Sequence, residues 1–185
     1  MSRFLEGRLH VYSASNGSLT IFESGDCSSS STLLFIGGLT EVFSFSILTN
    51  AQGFMATPYV TRLSSELNHI NWSLCQLHMR SSYMGYGMGS LNRDFEDICA
   101  AVTYLNALGK RQVVLMGHST GSQNSVHYLL KRTKTESAPT IQGVIVPTSR
   151  SPFPDWHSFR HLSATGNSYA SNLGIPYGTN KSVLL

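Results

Sequence analysis

Val113-Val114-Leu115-Met116-Gly117-His118-Ser119-Thr120-Gly121 is the stretch that decides the fold of this chain. Four apolar residues form a short buried strand that runs straight into Gly-x-Ser-x-Gly, and Gln123 to Lys131 beyond it has a helical pattern. The bare pattern arises by chance in roughly one chain in twenty of this length, so the setting matters more than the motif. On a sharp strand-to-helix turn the serine backbone is forced into a strained conformation and its hydroxyl stands above the sheet. Small flanking residues let strand and helix approach, and the helix N-terminus faces the place where negative charge develops. Ser119 is therefore the candidate nucleophile and the Thr120 backbone N–H a candidate oxyanion donor. His118 adjoins Ser119 but points away from its Oγ in such a turn, which gives it a packing or orienting role.

Upstream, Thr32-Leu33-Leu34-Phe35-Ile36 is a continuous apolar run, as in a strand buried on both faces, and it ends at Gly37-Gly38. The loop after this strand should supply a second oxyanion donor. The Leu39 N–H is the candidate, with Thr40 close behind, and a simple tight turn is the alternative. Arg8 to Tyr12 and Leu19 to Glu23 read as a hairpin around Asn16-Gly17. Leu39 to Pro58 has no clean period and suits a long loop or lid. Val60, Leu63 and Leu67 lie at helical spacing, and Trp72 to Leu77 alternates as a strand. Ser90 can cap a helix whose apolar face is Leu91, Phe95, Ile98, Val102 and Leu105, with Asp94, Glu96 and Asp97 near its positive end and Gly109 as its stop. Ile141 to Val146 looks like another buried strand. Strands alternating with helices imply an α/β fold, a mainly parallel sheet flanked by helices and joined by right-handed crossovers.

Composition narrows the function classes. The net charge of +3 is small, and the densest basic group, Lys131-Arg132-Thr133-Lys134, sits at an expected helix end, so no nucleic-acid partner is expected. Cys27, Cys75 and Cys99 are odd in number and unpaired in spacing, which argues against a disulfide framework and a metal site and favours an intracellular, cytoplasmic setting. No secretory signal or membrane span is read, so the sequons at Asn16, Asn71 and Asn180 are taken as chance matches. Gly85-x-Gly87-x-Gly89 lacks the third glycine of a dinucleotide fingerprint, Ser90 standing in its place, and no cofactor is expected. This loop either shapes a substrate pocket or simply connects two elements. Tyr83 and Tyr86 either line that pocket or cover the sheet edge.

Several segments together carry a more specific likeness. Leu34-Phe35-Ile36-Gly37-Gly38-Leu39-Thr40, Pro58-Tyr59-Val60, the run from Ser81 to Asp94, and Leu115 to Gln123 occur in one order. In this they resemble a poorly characterised eukaryotic α/β-hydrolase family that includes siderophore (fusarinine-type) esterases. The likeness spans roughly Arg8 to Ile145. It implies an α/β-hydrolase-type sheet, Ser119 as nucleophile and a small-molecule ester as substrate. Glu41 to Thr57 looks longer than the family's link at that place.

The rest of the catalytic set is harder to find. In this fold an acid and then a histidine follow the nucleophile on loops after later strands. Beyond Ser119 stand Glu136, Asp155, His127, His157 and His161. His127 is eight residues along the following helix, roughly 12 Å from its start, out of reach of Oγ. Asp155 and His161 keep the required order within irregular sequence and are the acid and base candidates. The expectation is thus a partial α/β-hydrolase domain over 1–146 that lacks its C-terminal strands, followed by an irregular tail over 147–185. A truncated product of this kind would keep an exposed sheet edge open to self-association. Two functions remain open: an ester hydrolase acting through Ser119 and impaired in this chain, or a non-catalytic fragment with a binding role. The chain as written favours the second, the family the first.

Overall fold

A computed structural model of the chain describes residues 5–15, 17–38, 58–82, 89–147 and 159–162. In chain order the elements are β1 (Gly7–Ala14), β2 (Gly17–Gly25), β3 (Ser31–Ile36), α1 (Pro58–His69), β4 (Ser73–His78), α2 (Leu91–Ala107), β5 (Gln112–Gly117), α3 (Thr120–Arg132), β6 (Gly143–Pro147) and β7 (Phe159–Leu162). The strands form one sheet in the order β1-β2-β4-β3-β5-β6-β7. Its centre, β4-β3-β5-β6, is parallel, whereas β1, β2 and β7 pair antiparallel at the flanks.

Strand alternation sends side chains to two cores. On one face Leu34, Ile36, Cys75, Leu77 and Leu115 pack under Ile98, Val102 and Leu105 of α2 and Tyr128 of α3. On the other, Leu33, Phe35, Leu74, Val114 and Met116 pack under Val60, Leu63 and Leu67 of α1. A central strand covered on both sides has no solvent face, which is why β3 and β5 read as unbroken apolar runs. Trp72 to Leu77 was expected to alternate, yet Ser73 through Leu77 are all buried, Gln76 included. Here position overrides pattern, because β4 lies between β2 and β3 with helices on both faces. Beyond the helical cover, Leu9 and Val11 of the outermost strand β1 are exposed.

Local chemistry sets the ends of α2. The Ser90 side chain accepts from the Arg93 N–H at 3.3 Å, the expected cap. Past the helix Gly109 takes φ 90°, and the N–H groups of Gly109 and Lys110 bond back to Asn106 and Leu105 at 3.0 Å. Ser90→Ala should cost about 1 kcal/mol, read as a lower urea midpoint at unchanged slope. Among the other elements α3 begins at Thr120, three residues earlier than its apolar pattern suggested. The segment from residue 147, expected to be irregular, differs at Phe159–Leu162, which pairs antiparallel with β6. A strand of four residues is shorter than any period that sequence could register, and it is defined by its partner alone.

Candidate active site

The topology marks one place for chemistry. From β3 the chain leaves through α1 toward β4, and from β5 it leaves through α3 toward β6 on the opposite side. Neighbouring strands whose connections diverge leave a crevice at their carboxyl ends, the usual ligand position in open α/β sheets. Register brings the two ends level, Ile36 opposite Gly117. Gly37-Gly38 and His118-Ser119 therefore emerge side by side.

Ser119 occupies the turn between β5 and α3 with φ 55° and ψ −119°, and it is exposed. Among the described residues only Asn71 is another non-glycine with positive φ. Asparagine tolerates that region, whereas for serine it costs about 1–3 kcal/mol and persists only where the surroundings enforce it. Here they do. The His118 N–H donates to Ile36 O at 2.9 Å, the Gly121 N–H to His118 O at 2.9 Å and the Ser122 N–H to Ser119 O at 3.0 Å. The Ser122 hydroxyl donates back to Gly117 O at 2.9 Å, and that of Ser125 to Gly121 O at 2.8 Å.

Glycine makes the approach of the segments possible. A Cβ on Gly117 would run into the Gly121 carbonyl, and one on Gly121 into the Ile36 carbonyl. A Cβ on Gly38 would sit 2.6 Å from Ser119 Cβ and 3.2 Å from its Oγ. The backbone after β3 thus lies directly against the serine side chain. Leu39 and Thr40, the expected second donors, lie outside the described residues. Gly38 is the residue seen in contact, and the Gly37-Gly38 pair was the signal for it. Thr120 opens α3, so its amide lies at the positive end of the helix.

Other site expectations fall in different places. His118 is half-buried with its ring 5.7 Å from that of Tyr59 on α1. His127 faces α2, with Nε2 3.3 Å from Asn92 Oδ1 and its ring edge-on to Phe95. Asp155 and His157, like Tyr83 and Tyr86, lie outside the described residues. The His161 backbone is in β7 opposite Ile145, which pairs in turn with Met116 of β5. Two strand spacings, about 10 Å, separate it from the strand that carries Ser119. Among the described residues no group of three His, Cys, Asp or Glu could hold a metal ion. No helix there is long and apolar enough to cross a membrane. Burial pushes the Cys75 thiol up to about 12 and that of Cys99 up to about 11, so neither is an active nucleophile at neutral pH.

A parallel-centred sheet with an antiparallel hairpin at one flank, and a strained serine on the β5–α3 turn, define an α/β-hydrolase fold. Comparison with known proteins places it further. The chain belongs to the family described as protein of unknown function DUF1749, whose profile matches residues 1–155. It is 45% identical over 104 residues to UPF0613 protein PB24D3.06c of Schizosaccharomyces pombe, covering 54% of this chain and 29% of that protein. It is 32% identical over 130 residues to fusarinine C esterase sidJ of Aspergillus fumigatus, covering 65% of this chain and 34% of that one. Among solved structures, siderophore hydrolase EstB from Aspergillus fumigatus superposes with a TM-score of 0.58 at 30% identity, over 83% of this chain and 44% of its own. The chain therefore spans about a third of these two curated relatives and under half of that structure.

Proposed function

We propose that this chain carries the nucleophile half of a serine hydrolase acting on a small-molecule ester, with Ser119 attacking the carbonyl carbon. The observation that carries the reading is the conformation of Ser119: exposed, at φ 55°, on a glycine-flanked turn in the crevice between β3 and β5. The Thr120 amide and an amide of the turn after β3, at Gly38 or Leu39, serve as donors to the oxyanion. Attack forms the Oγ–C bond and moves the carbonyl π electrons onto the substrate's carbonyl oxygen, which becomes the oxyanion. Two amides aimed at it are worth several kcal/mol in related chemistry. The esterase and hydrolase names of two of the relatives support an ester as the bond cleaved.

A second reading, a non-catalytic fragment, is favoured by one observation. His127, a described histidine of α3, faces Asn92 of α2, its Nε2 3.3 Å from Asn92 Oδ1. In the first reading the Oγ proton passes to a base supplied by the Asp155 and His161 segment. One experiment separates the two. The catalytic reading expects a fluorophosphonate to label the purified chain, with Ser119→Ala abolishing labelling while the far-ultraviolet circular dichroism is unchanged, and expects turnover of a short p-nitrophenyl ester that depends on Ser119. A folded wild-type chain that neither labels nor turns over would leave the binding reading standing.

A further inference from the structure

Side chains of β5 alternate between the two faces of the sheet, and Val114 and Met116 belong to the core under α1. The next even position is His118, one residue past the strand, with its N–H still bonded to Ile36 O at 2.9 Å. Its ring accordingly meets α1. Tyr59, the second residue of α1, has its ring centre 5.7 Å from that of His118, at an interplanar angle of 49°. The same Tyr59 ring stands 6.0 Å from that of Phe35, edge to face at 66°. Phe35 is fully buried in β3, whereas Tyr59 and His118 are half-buried. Three rings, from β3, α1 and the turn that carries Ser119, thus form one chain of contacts. Both spacings lie within the range of roughly 4.5–7 Å in which aromatic pairs attract.

The main chain of the turn is held from the β3 side. The Ile36 carbonyl accepts from the His118 N–H, and the Gly38 backbone lies against the Ser119 Cβ and the His118 carbonyl. Contact between Tyr59 and His118 adds a hold from α1. A positive φ at a serine persists only while its neighbours enforce it, so each contact on the turn shifts the balance between strained and relaxed backbone. We infer that Tyr59 is a positioning residue: its ring, packed edge-on to Phe35, braces His118 and so keeps Ser119 in the strained conformation that presents its hydroxyl. The inference rests on the reading of Ser119 as nucleophile given above. Its action passes through His118 rather than through contact with the substrate. One aromatic pair shifts such a balance by roughly two- to tenfold.

Amide hydrogen exchange tests the brace without requiring catalysis. The His118, Gly121 and Ser122 amides are hydrogen-bonded within the turn or from it to β3, and their exchange reports its opening. In Tyr59→Leu, which keeps an apolar side chain near Phe35, these amides are expected to exchange about fivefold faster, well below the melting temperature. Tyr59→Phe keeps the ring and is expected to exchange as the wild-type chain does. His118→Leu removes the other partner and should match Tyr59→Leu. The double variant should exchange no faster than either single one, because both remove the same contact. Where the wild-type chain labels with a fluorophosphonate, Tyr59→Leu should label about fivefold more slowly and Tyr59→Phe at the wild-type rate. A Tyr59 side chain that merely packs would lower the melting temperature and leave exchange in the turn unchanged, and that result overturns the inference. Additive effects in the double variant, or a Tyr59→Phe chain that exchanges as fast as Tyr59→Leu, overturn it too. If Tyr59→Leu does not fold, the His118→Leu chain decides by the same exchange. A wild-type chain that never labels, while exchange behaves as expected, overturns only the assignment of Ser119.

Discussion

Gly121→Ala is expected to destabilise the chain by about 3 kcal/mol or more, toward the top of the range for overpacking a closed site. The added Cβ would overlap the carbonyl oxygen and carbon of Ile36 and crowd the carbonyl oxygen of Gly37. All three are backbone atoms at the end of a central strand. No side chain can rotate away, so either α3 must lift off β3 or the strand end must move. Either shift disturbs the His118 N–H to Ile36 O bond and with it the turn at Ser119. Gly89→Ala is the internal comparison, since the nearest described atoms to a Cβ there belong to the flexible Arg93 side chain, at 3.6 Å. It should stay within about 0.5 kcal/mol of wild type. Urea midpoints of the two variants measure the difference. A Gly121→Ala chain as stable as the Gly89→Ala chain would mean that strand and helix do not meet as described.

Lys110→Met should cost about 3–5 kcal/mol, because it leaves a buried carboxylate short of its main partner. Glu23 is 1% exposed and Lys110 5%. The Lys110 Nζ lies 2.5 Å from Glu23 Oε1 and donates to the carbonyls of Ser29 at 2.7 Å and Cys27 at 3.2 Å. Glu23 Oε2 is 3.1 Å from His10 Nε2, and His10 Nδ1 lies 3.3 Å from the Tyr104 hydroxyl of α2. One buried carboxylate thus ties β1, β2, the loop before β3 and Lys110 of the turn before β5. This cluster adjoins the amino end of β5, at the opposite edge of the sheet from Ser119. Stability should therefore fall with no direct effect on Ser119. Since removing both charges leaves nothing uncompensated, Glu23→Gln combined with Lys110→Met should recover much of the loss. A double variant as unstable as the sum of the two single ones would show that the pair is not coupled.

Much of the architecture was legible along the chain. The apolar runs of β3 and β5, the Ser90 cap, the Gly109 stop and the face Leu91-Phe95-Ile98-Val102-Leu105 are local signals, set by neighbours a few residues away. The run into Gly117 and the small residues around Ser119 likewise announce a strand-to-helix turn. Elements whose character depends on distant partners were read less well. Gln76 masked the double burial of β4, and β7 exists only beside β6. Leu39, the expected second oxyanion donor, lies outside the described residues, and Gly38 is the described residue against Ser119.

The sequence by itself determined where strands and helices form and which serine stands at the bend, because turn chemistry and hydrophobic period are properties of adjacent residues. Tertiary structure alone decided that β5 inserts beside β3, so that two glycine-bearing turns meet around one hydroxyl. It also decided that Lys110 closes on Glu23. Those contacts join residues far apart in the chain, and their energies arise from desolvation and close packing, which exist only once the sheet has assembled and water has been excluded.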